Sequence, residues 1–248
     1  MRIGIIGVGS IGGTLARKYV AASHEVRVAN SRGVAGVREF ADEVGAIAAD
    51  VRGAVEGAEA IILSIPLPTV AHLPSNLFDA TPTDVPVIDT GNYYPDMRDP
   101  SIPEIDSGIA ESVWVSRQLG RPIVKAFNNI LAETLGDFGV AEGAPDRIAI
   151  TVAGDDPDTK KIAMDLVNET GFDPVDAGSL EDSWRTEPYT PVYCCDWDAE
   201  ASRAKLDEAI PGEGRRILAN IPSLIEQNGR FPTHDDWIRI NRAHYPAG

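Results

Sequence analysis

The chain has 248 residues, of which 43% are hydrophobic and 24% charged, and its formal net charge is −16. This composition is typical of a globular protein with one large core, or with one domain and a small appendage. The negative charge argues against a nucleic-acid partner, and no apolar run reaches the roughly 18 residues of a membrane span. The acidic side chains are scattered and the two adjacent cysteines lack metal-ligand spacing, so we expect no metal.

The first elements are a strand, a glycine-rich turn and a helix. A short apolar run begins at Arg2, and the segment Gly7–Gly12 that follows it reads GVGSIG. In this G-x-G-x-x-G pattern Gly7 permits the tight turn, Gly9 lets the backbone approach a diphosphate, and Gly12 lets the helix lie close to the strand. Backbone N–H groups at the helix start, from Ser10 and Ile11 onward, would face that diphosphate.

Strands and helices then alternate up to Gly178, which predicts an α/β Rossmann fold: a doubly wound parallel sheet covered on both faces. The further predicted strands are Glu25–Ala29, Ala60–Ser64, Val85–Asp89, Pro122–Phe127, Arg147–Val152 and Asp173–Asp176. The predicted helices between them include Val34–Val44, Ile109–Leu119 and Pro157–Thr170. Because the first strand begins at Arg2, a signal peptide has no room, and we expect a cytoplasmic protein.

The pattern changes after Gly178, where no further strand is indicated and proline and glycine separate helical stretches. The predicted helices there are about Ala199–Ala209, Arg215–Asn228 and His234–Ala243. We therefore expect two domains: residues 1–178 form a dinucleotide-binding Rossmann domain, and residues 179–248 form a small, mostly helical cap for substrate binding and dimerisation.

The end of the second strand indicates which dinucleotide is bound. NAD-binding proteins usually carry an Asp or Glu there, which holds the ribose 2′-hydroxyl. This chain has Asn30, Ser31 and Arg32 instead, with no carboxylate. Their donors suit a 2′-phosphate, and Arg32 would make a charge-assisted contact with it, so we expect NADP.

These motifs together resemble the deazaflavin (coenzyme F-420)-dependent NADP reductase family, whose nucleotide domain is shared with pyrroline-5-carboxylate reductases. The resemblance covers about residues 1–178 and depends on the segments Ile6–Gly12, His24–Val26, Asn30–Arg32, Ser64–Pro66, Val87–Asn92 and Val124–Asn128. It implies hydride transfer between NADP(H) and a deazaflavin or flavin, a small-molecule substrate and a homodimer.

In such relatives the nicotinamide lies across the carboxyl ends of the strands, as ligands of open α/β sheets generally do. The resemblance therefore implies a second set of cofactor-binding residues at strand ends, namely Ser64, Ile65, Pro66, Thr90, Gly91 and Asn92. The amides of Asn92 and Asn128 are candidate partners of the ribose and the carboxamide. Their alternative interpretation is ordinary strand-terminating turn chemistry.

Three residues are candidate catalytic groups: Lys125, Tyr93 and Asn128. Lys125 lies in an otherwise apolar strand, where burial would make its proton easier to transfer; alternatively it extends to solvent from an edge strand. Tyr93 follows Asn92 in a loop and is a candidate proton donor; alternatively, Tyr93 and Tyr94 form an aromatic wall for a ring-shaped substrate.

Two questions stay open at this point. The cap carries aromatic and cationic residues that would either stack on a ring-shaped substrate or build a small core and a dimer interface: Trp184, Arg185, Tyr189, Tyr193, Trp197, Arg203 and Lys205. The identity of the hydride acceptor is also open, since a reductase of a small carbonyl or imine would have the same nucleotide domain. So would a non-catalytic NADP sensor.

Overall fold

The computed structural model describes residues 1–228 and 230–245. Residues 229 and 246–248, which belong to the predicted cap, lie outside that description. The described residues form eight strands: β1 (Arg2–Ile6), β2 (Glu25–Ala29), β3 (Ile47–Ala48), β4 (Ala60–Leu63), β5 (Val87–Asp89), β6 (Val124–Ala126), β7 (Ala149–Ala153) and β8 (Asp173–Asp176).

The helices lie mostly between these strands and after the last of them. Within the described residues they are α1 (Ser10–Ala21), α2 (Gly33–Val44), α3 (Val51–Val55), α4 (Pro103–Asp106), α5 (Glu111–Leu119), α6 (Ala132–Asp137), α7 (Pro157–Glu169), α8 (Ala199–Asp207), α9 (Glu213–Leu218), α10 (Ile221–Asn228) and α11 (His234–His244). Two 3-10 helices span Leu67–His72 and Glu181–Thr186. None of the described helices is long and apolar enough to cross a membrane.

The strands form one sheet in the order β3-β2-β1-β4-β5-β6-β7-β8. The strands from β3 to β6 are parallel, which confirms the predicted Rossmann architecture. The pairing of β6 with β7 differs from the prediction, because it is antiparallel, with Lys125 opposite Ala153. The connection between these strands contains the six-residue helix α6 and does not return the chain to the other end of the strands. Strand β7 therefore starts beside the end of β6 and runs in the opposite direction.

The sheet is apolar on both faces because successive strand residues point to opposite sides. Ile62 packs in one core cluster with Leu15 of α1, while its neighbours Ile61 and Leu63 pack in the other cluster with Trp114 of α5. All of these side chains are buried. This two-sided burial explains why the strands appear in the sequence as continuous apolar runs.

The residues of the predicted cap pack against the β7–β8 edge of the sheet. Leu206 of α8 packs with Val175 of β8, and the backbone N–H of Ala149 donates to the Trp197 carbonyl over 2.8 Å. The helix predicted over 215–228 is interrupted between α9 and α10. Pro222 explains the interruption, because proline has no N–H to donate and its ring clashes with the carbonyl of the preceding turn. The domain boundary near residue 178 stays a prediction.

Candidate functional site

The glycine-rich turn connects β1 to α1, and two of its glycines are required by close packing. Gly7 has a φ of +99°, and a Cβ added there would lie 2.0 Å from the Ser64 carbonyl oxygen. A Cβ added to Gly12 would lie 2.0 Å from the Gly7 carbonyl oxygen. These positions therefore fix the approach of the helix to β1 and β4, as the fingerprint predicts.

Gly9 has a different role, because an added Cβ there would meet no protein atom within 4 Å. Gly9 is the N-cap of the twelve-residue helix α1, and no side chain caps the helix start. The first intrahelical bond runs from the Gly13 N–H to the Gly9 carbonyl over 2.7 Å. The earlier N–H groups, at the positive end of the helix dipole, thus border a space that a side chain at residue 9 would fill. This is a cradle for an anion such as a diphosphate.

A cleft of about 320 Å³ extends from this cradle along the carboxyl ends of β4, β5 and β6. The sequence-predicted residues that line it are Gly9, Ser10, Ile11, Ser64, Ile65, Pro66, Thr90, Gly91, Asn92 and Asn128. Tyr94 and Tyr193, each considered above as an aromatic contact for a ring-shaped substrate, also line it, and so does Phe127 directly after β6. The lining residues that the sequence analysis did not single out are Arg98, Ile130, Leu131, Ala132 and Cys194. The structure therefore gathers the predicted strand ends into one cleft and adds a wall from the cap.

The predicted 2′-phosphate residues lie on the loop between β2 and α2. The Asn30 side chain shapes this loop, because its Nδ2 donates to the Gly36 carbonyl and its Oδ1 accepts from the Arg32 N–H, each over 2.9 Å. Ser31 and Arg32 are exposed. Gly36 leaves room for Arg32, since a Cβ there would lie 2.2 Å from the Arg32 Cβ. Ser31 and Arg32 are thus the donors that face solvent.

Asn92 and Asn128 hold each other in the cleft. The Asn92 Nδ2 donates to the Asn128 carbonyl over 2.9 Å, and the Asn128 Nδ2 donates to the Asn92 Oδ1 over 3.1 Å. A further bond of 2.7 Å joins the Asn128 Nδ2 to the Thr186 carbonyl. These bonds orient the amide so that the buried Asn128 Oδ1 has no protein donor. A ligand N–H group would satisfy this atom, and a carboxamide supplies one.

Lys125 does not line the cleft. Its ammonium is buried, lies 2.9 Å from the Asp89 Oδ2 and also donates to the Gly91 carbonyl. Because β6 lies between β5 and β7, the alternative interpretation of a lysine extending from an edge strand is wrong. Its proton-donor role stays a prediction.

Tyr93 also points away from the cleft, while Tyr94 faces it. The Tyr93 hydroxyl donates to the Asp106 Oδ1 over 3.0 Å and accepts from the Ile102 N–H over 2.8 Å. The Tyr94 hydroxyl is hydrogen-bonded to the Tyr193 hydroxyl. Burial raises the pKa of Tyr94 and of Tyr193. The sequence predicted a phenol at residues 93–94 of this loop, but it is Tyr94, one residue after the predicted donor Tyr93, that reaches the cleft.

A cation lies against the same wall. The Arg98 guanidinium is 4.8 Å from the centre of the Tyr94 ring and pairs with the Asp99 carboxylate over 2.7 Å. Two of the predicted cap aromatics serve packing: Tyr189 belongs to an apolar cluster with Ile217, and Trp197 stacks against Arg242 at 4.3 Å. Tyr193 is the member of the predicted cap set that lines the cleft.

A buried carboxyl pair lies behind the loop that carries Asn92. The Glu187 Oε1 accepts from the Glu111 N–H over 2.8 Å, and the Glu111 Oε2 accepts from the Tyr93 N–H over 3.1 Å. Burial, and then the charge of Glu187, raise the pKa of Glu111 well above its ordinary value. Sequence reasoning missed this pair, because nothing local distinguishes it from exposed glutamates. No metal-binding group of three His, Cys, Asp or Glu residues occurs within the described ranges.

A mostly parallel sheet whose first strand enters a G-x-G-x-x-G turn, with a cleft at the switch point of the strand order, defines a Rossmann-type dinucleotide-binding protein. Residues 2–93 match the family model described as NADP oxidoreductase coenzyme F420-dependent. The chain belongs to this family and is an NADP-dependent oxidoreductase. The family resemblance stated from the sequence is confirmed.

The chain is also similar to individual proteins. The chain is 46% identical over 102 residues to protein YjhV of Escherichia coli (strain K12), an alignment that covers 41% of this chain and 74% of that protein. It is 27% identical to hypothetical protein SMa0349 of Sinorhizobium meliloti, with a TM-score of 0.62 and coverage of 75% and 89%. A chain named "putative f420 dependent nadp-reductase" from Arthrobacter sp. fb24 is 16% identical, with a TM-score of 0.60 and coverage of 92% and 95%, and shows the fold alone.

Proposed function

We propose that this protein transfers a hydride between NADP(H) and a flat ring acceptor of the deazaflavin or flavin class. The observation that carries the acceptor class is the wall of the cleft, where the phenols of Tyr94 and Tyr193 meet and Arg98 lies against the Tyr94 ring. Aromatic rings stack on such a wall, which suits a flat ring acceptor. The family description supports the same class.

The residues present fit NADP(H) along the cleft and on the loop that follows β2. The α1 N-terminus at Gly9 would hold the diphosphate, Ser31 and Arg32 would hold the 2′-phosphate, and the unpartnered Asn128 Oδ1 would accept from the carboxamide N–H. When bound, this cofactor supplies or accepts the hydride. Ile65 and Pro66 line the same cleft and would exclude water from the reacting face.

The chain's own groups divide into donors at the cleft and groups that shape it. Tyr94 is a neutral phenol at physiological pH, as an ordinary tyrosine is, and burial raises its pKa further. In this proposal its hydroxyl donates a hydrogen bond to the acceptor. In this proposal Lys125 and Tyr93 act indirectly, since their polar atoms bind Asp89 and Asp106. Asn128 orients the nicotinamide.

Reduction of a small carbonyl or imine is the second candidate, and the phenol pair favours it. Such an acceptor needs a proton at the atom that gains charge. The Tyr94 Oη would donate that proton, and the hydrogen bond from the Tyr193 hydroxyl would stabilise the resulting phenolate until solvent returns the proton. A ring acceptor spreads its charge and needs no such donor, so the dependence of the rate on Tyr94 separates the two candidates.

The test measures NADPH oxidation by the purified protein with 5-deazariboflavin, FMN, 1-pyrroline and a small aldehyde. We expect bleaching of the deazaflavin absorbance, with Tyr94→Phe lowering kcat by less than about tenfold, because only one hydrogen bond is lost. A loss of more than about a hundredfold with 1-pyrroline or the aldehyde would favour the second candidate, as expected for a general acid. If no acceptor accelerates NADPH oxidation, the proposed function is wrong.

A homodimer is the assembly that we propose, on the resemblance stated above. The chain mass is 26.5 kDa. Sedimentation velocity at micromolar protein, with and without NADPH, should show a species of twice that mass. A single species at the chain mass would contradict the proposal.

A further inference from the structure

The cleft wall formed by the cap contains backbone in an unusual conformation. Cys194 and Asp196 both have a φ of +50°, in the left-handed region that non-glycine residues rarely adopt. Such conformations persist when surrounding contacts hold them, and they concentrate at functional sites. The segment 194–196 follows directly on Tyr193, and Tyr193 and Cys194 line the cleft.

Helix α11, near the end of the described chain, holds this turn. The Asn241 Nδ2 donates to the Cys194 carbonyl over 3.1 Å. The Arg242 guanidinium donates to the next two carbonyls, with 2.7 Å from Nε to the Cys195 oxygen and 3.0 Å from Nη2 to the Asp196 oxygen. Two adjacent residues of one helix thus bind three consecutive carbonyls. Asn241 is buried, and Trp197 packs against the Arg242 guanidinium.

The other side of the turn is joined to the sheet. The Cys194 N–H donates to the Asn129 carbonyl over 2.9 Å, next to the cleft residue Asn128. The turn is therefore fixed between α11 and the end of β6, and its position sets where the Tyr193 hydroxyl meets Tyr94.

We infer that Asn241 and Arg242 are positioning residues for the phenol wall, through which α11 contributes to hydride transfer without touching the acceptor. This inference rests on the proposed function, because the wall is where we place the acceptor. Substitutions of these two residues of α11 should therefore lower kcat. The diphosphate cradle at Gly9 belongs to other elements, so we expect NADPH affinity to stay nearly unchanged.

The experiment uses the full chain and the variants Arg242→Ala, Asn241→Ala and Arg242→Lys, with Arg239→Ala as the matched control. Arg239 lies on the same helix, is mostly exposed and pairs with Asp236. The chain has two cysteines, Cys194 and Cys195, and both are buried in the turn. Their rate of labelling by DTNB therefore reports directly on the turn, with no acceptor needed. Thermal melting checks that each variant is folded.

We expect DTNB labelling about tenfold faster in Arg242→Ala and Asn241→Ala, as the lost hydrogen bonds allow the turn to open. With the acceptor that the native protein uses, kcat should fall up to about a hundredfold while the Kd for NADPH changes little, as for a displacement of reacting groups by about 1 Å. Arg242→Lys should recover part of both effects, and Arg239→Ala should match the native protein.

The inference is wrong if the Ala variants label like Arg239→Ala, or if they label faster but keep native kcat. It is also wrong if kcat and NADPH affinity fall together with the melting temperature, since that result indicates general destabilisation. Absence of turnover by the native protein would overturn the proposed function; the labelling rates would then still decide whether α11 holds the cleft wall.

Discussion

The Lys125 ammonium lies 2.9 Å from the Asp89 carboxylate, and the two side chains are 1% and 2% exposed. Asp89 also accepts from the Gly91 N–H over 2.9 Å, and Lys125 donates to the Gly91 carbonyl. The pair therefore binds both the backbone N–H and the backbone carbonyl of Gly91, the residue that precedes Asn92. A buried ion pair between two neighbouring strands thus shapes the loop at the centre of the cofactor cleft.

We expect Lys125→Met to destabilise the fold by about 3–5 kcal/mol, because it leaves the Asp89 carboxylate buried without a countercharge. The double variant with Asp89→Asn should recover part of this loss. Urea unfolding of both variants measures the effect. A Lys125→Met variant of native stability that had lost only kcat would instead support the predicted role of Lys125 as proton donor.

Gly9 and Gly12 should respond to alanine in opposite ways. Gly9→Ala should keep native stability and weaken NADPH binding about 10- to 100-fold, because the added methyl group enters only the diphosphate cradle. Gly12→Ala should lower the melting temperature by about 3–10 °C, since its Cβ would overlap the Gly7 carbonyl. Fluorescence titration and thermal melting give the two readouts. Equal effects of both variants on stability would argue against a free cradle at Gly9.

Arg32→Ala should separate the two nicotinamide cofactors. Loss of a charge-assisted contact with the 2′-phosphate should weaken NADPH binding about 10- to 100-fold, whereas NADH, which lacks this phosphate, should be little affected. Arg38→Ala is the control, because Arg38 is an exposed arginine of α2, the helix that follows Arg32. Equal losses for NADPH and NADH would contradict the assignment of Arg32 to the 2′-phosphate.

Glu111→Gln should change the pH dependence of stability. The pKa of Glu111 is raised in the folded protein, by burial and then by the Glu187 charge. The contribution of this shift to the free energy of unfolding is therefore fully present below pH 4.5, the ordinary pKa of the group. The contribution is lost as pH rises through the folded pKa, at about 1.4 kcal/mol per pH unit. Relative to the native protein, the glutamine variant should therefore gain stability as the pH rises from 5 to 8.

Urea unfolding at those two pH values measures this gain, and Glu104→Gln serves as the control because Glu104 is exposed. A Glu111→Gln variant that lost stability more at pH 8 than at pH 5 would show that the native carboxylate is stabilising in its charged form.

The parts of the site that could be predicted from sequence are local. The turn at Gly7–Gly12 combines tight bends and close contacts within a few residues, so glycine spacing alone identifies it. The exchange of a carboxylate for Asn30, Ser31 and Arg32 is equally local. Alternation of apolar runs with helical stretches indicated the layers of the fold for the same reason.

The contacts across the cleft depend on residues far apart in sequence. Lys125 meets Asp89 across 36 residues, and Tyr94 meets Tyr193 across 99. Composition and spacing carry no record of which strands become neighbours, so neither partner could be named beforehand. The direction of β7 was missed for a related reason, since a strand's apolar pattern is the same in parallel and antiparallel pairing.

The sequence by itself determined a Rossmann-type nucleotide domain and its preference for a phosphorylated ribose, because glycine conformation and loop charge are properties of short segments. Tertiary structure decided which phenol faces the cleft, which amide oxygen is left for a ligand, and that Lys125 is paired. These outcomes depend on strand order and on how the cap packs against the sheet, which are set by the summed burial of many distant side chains.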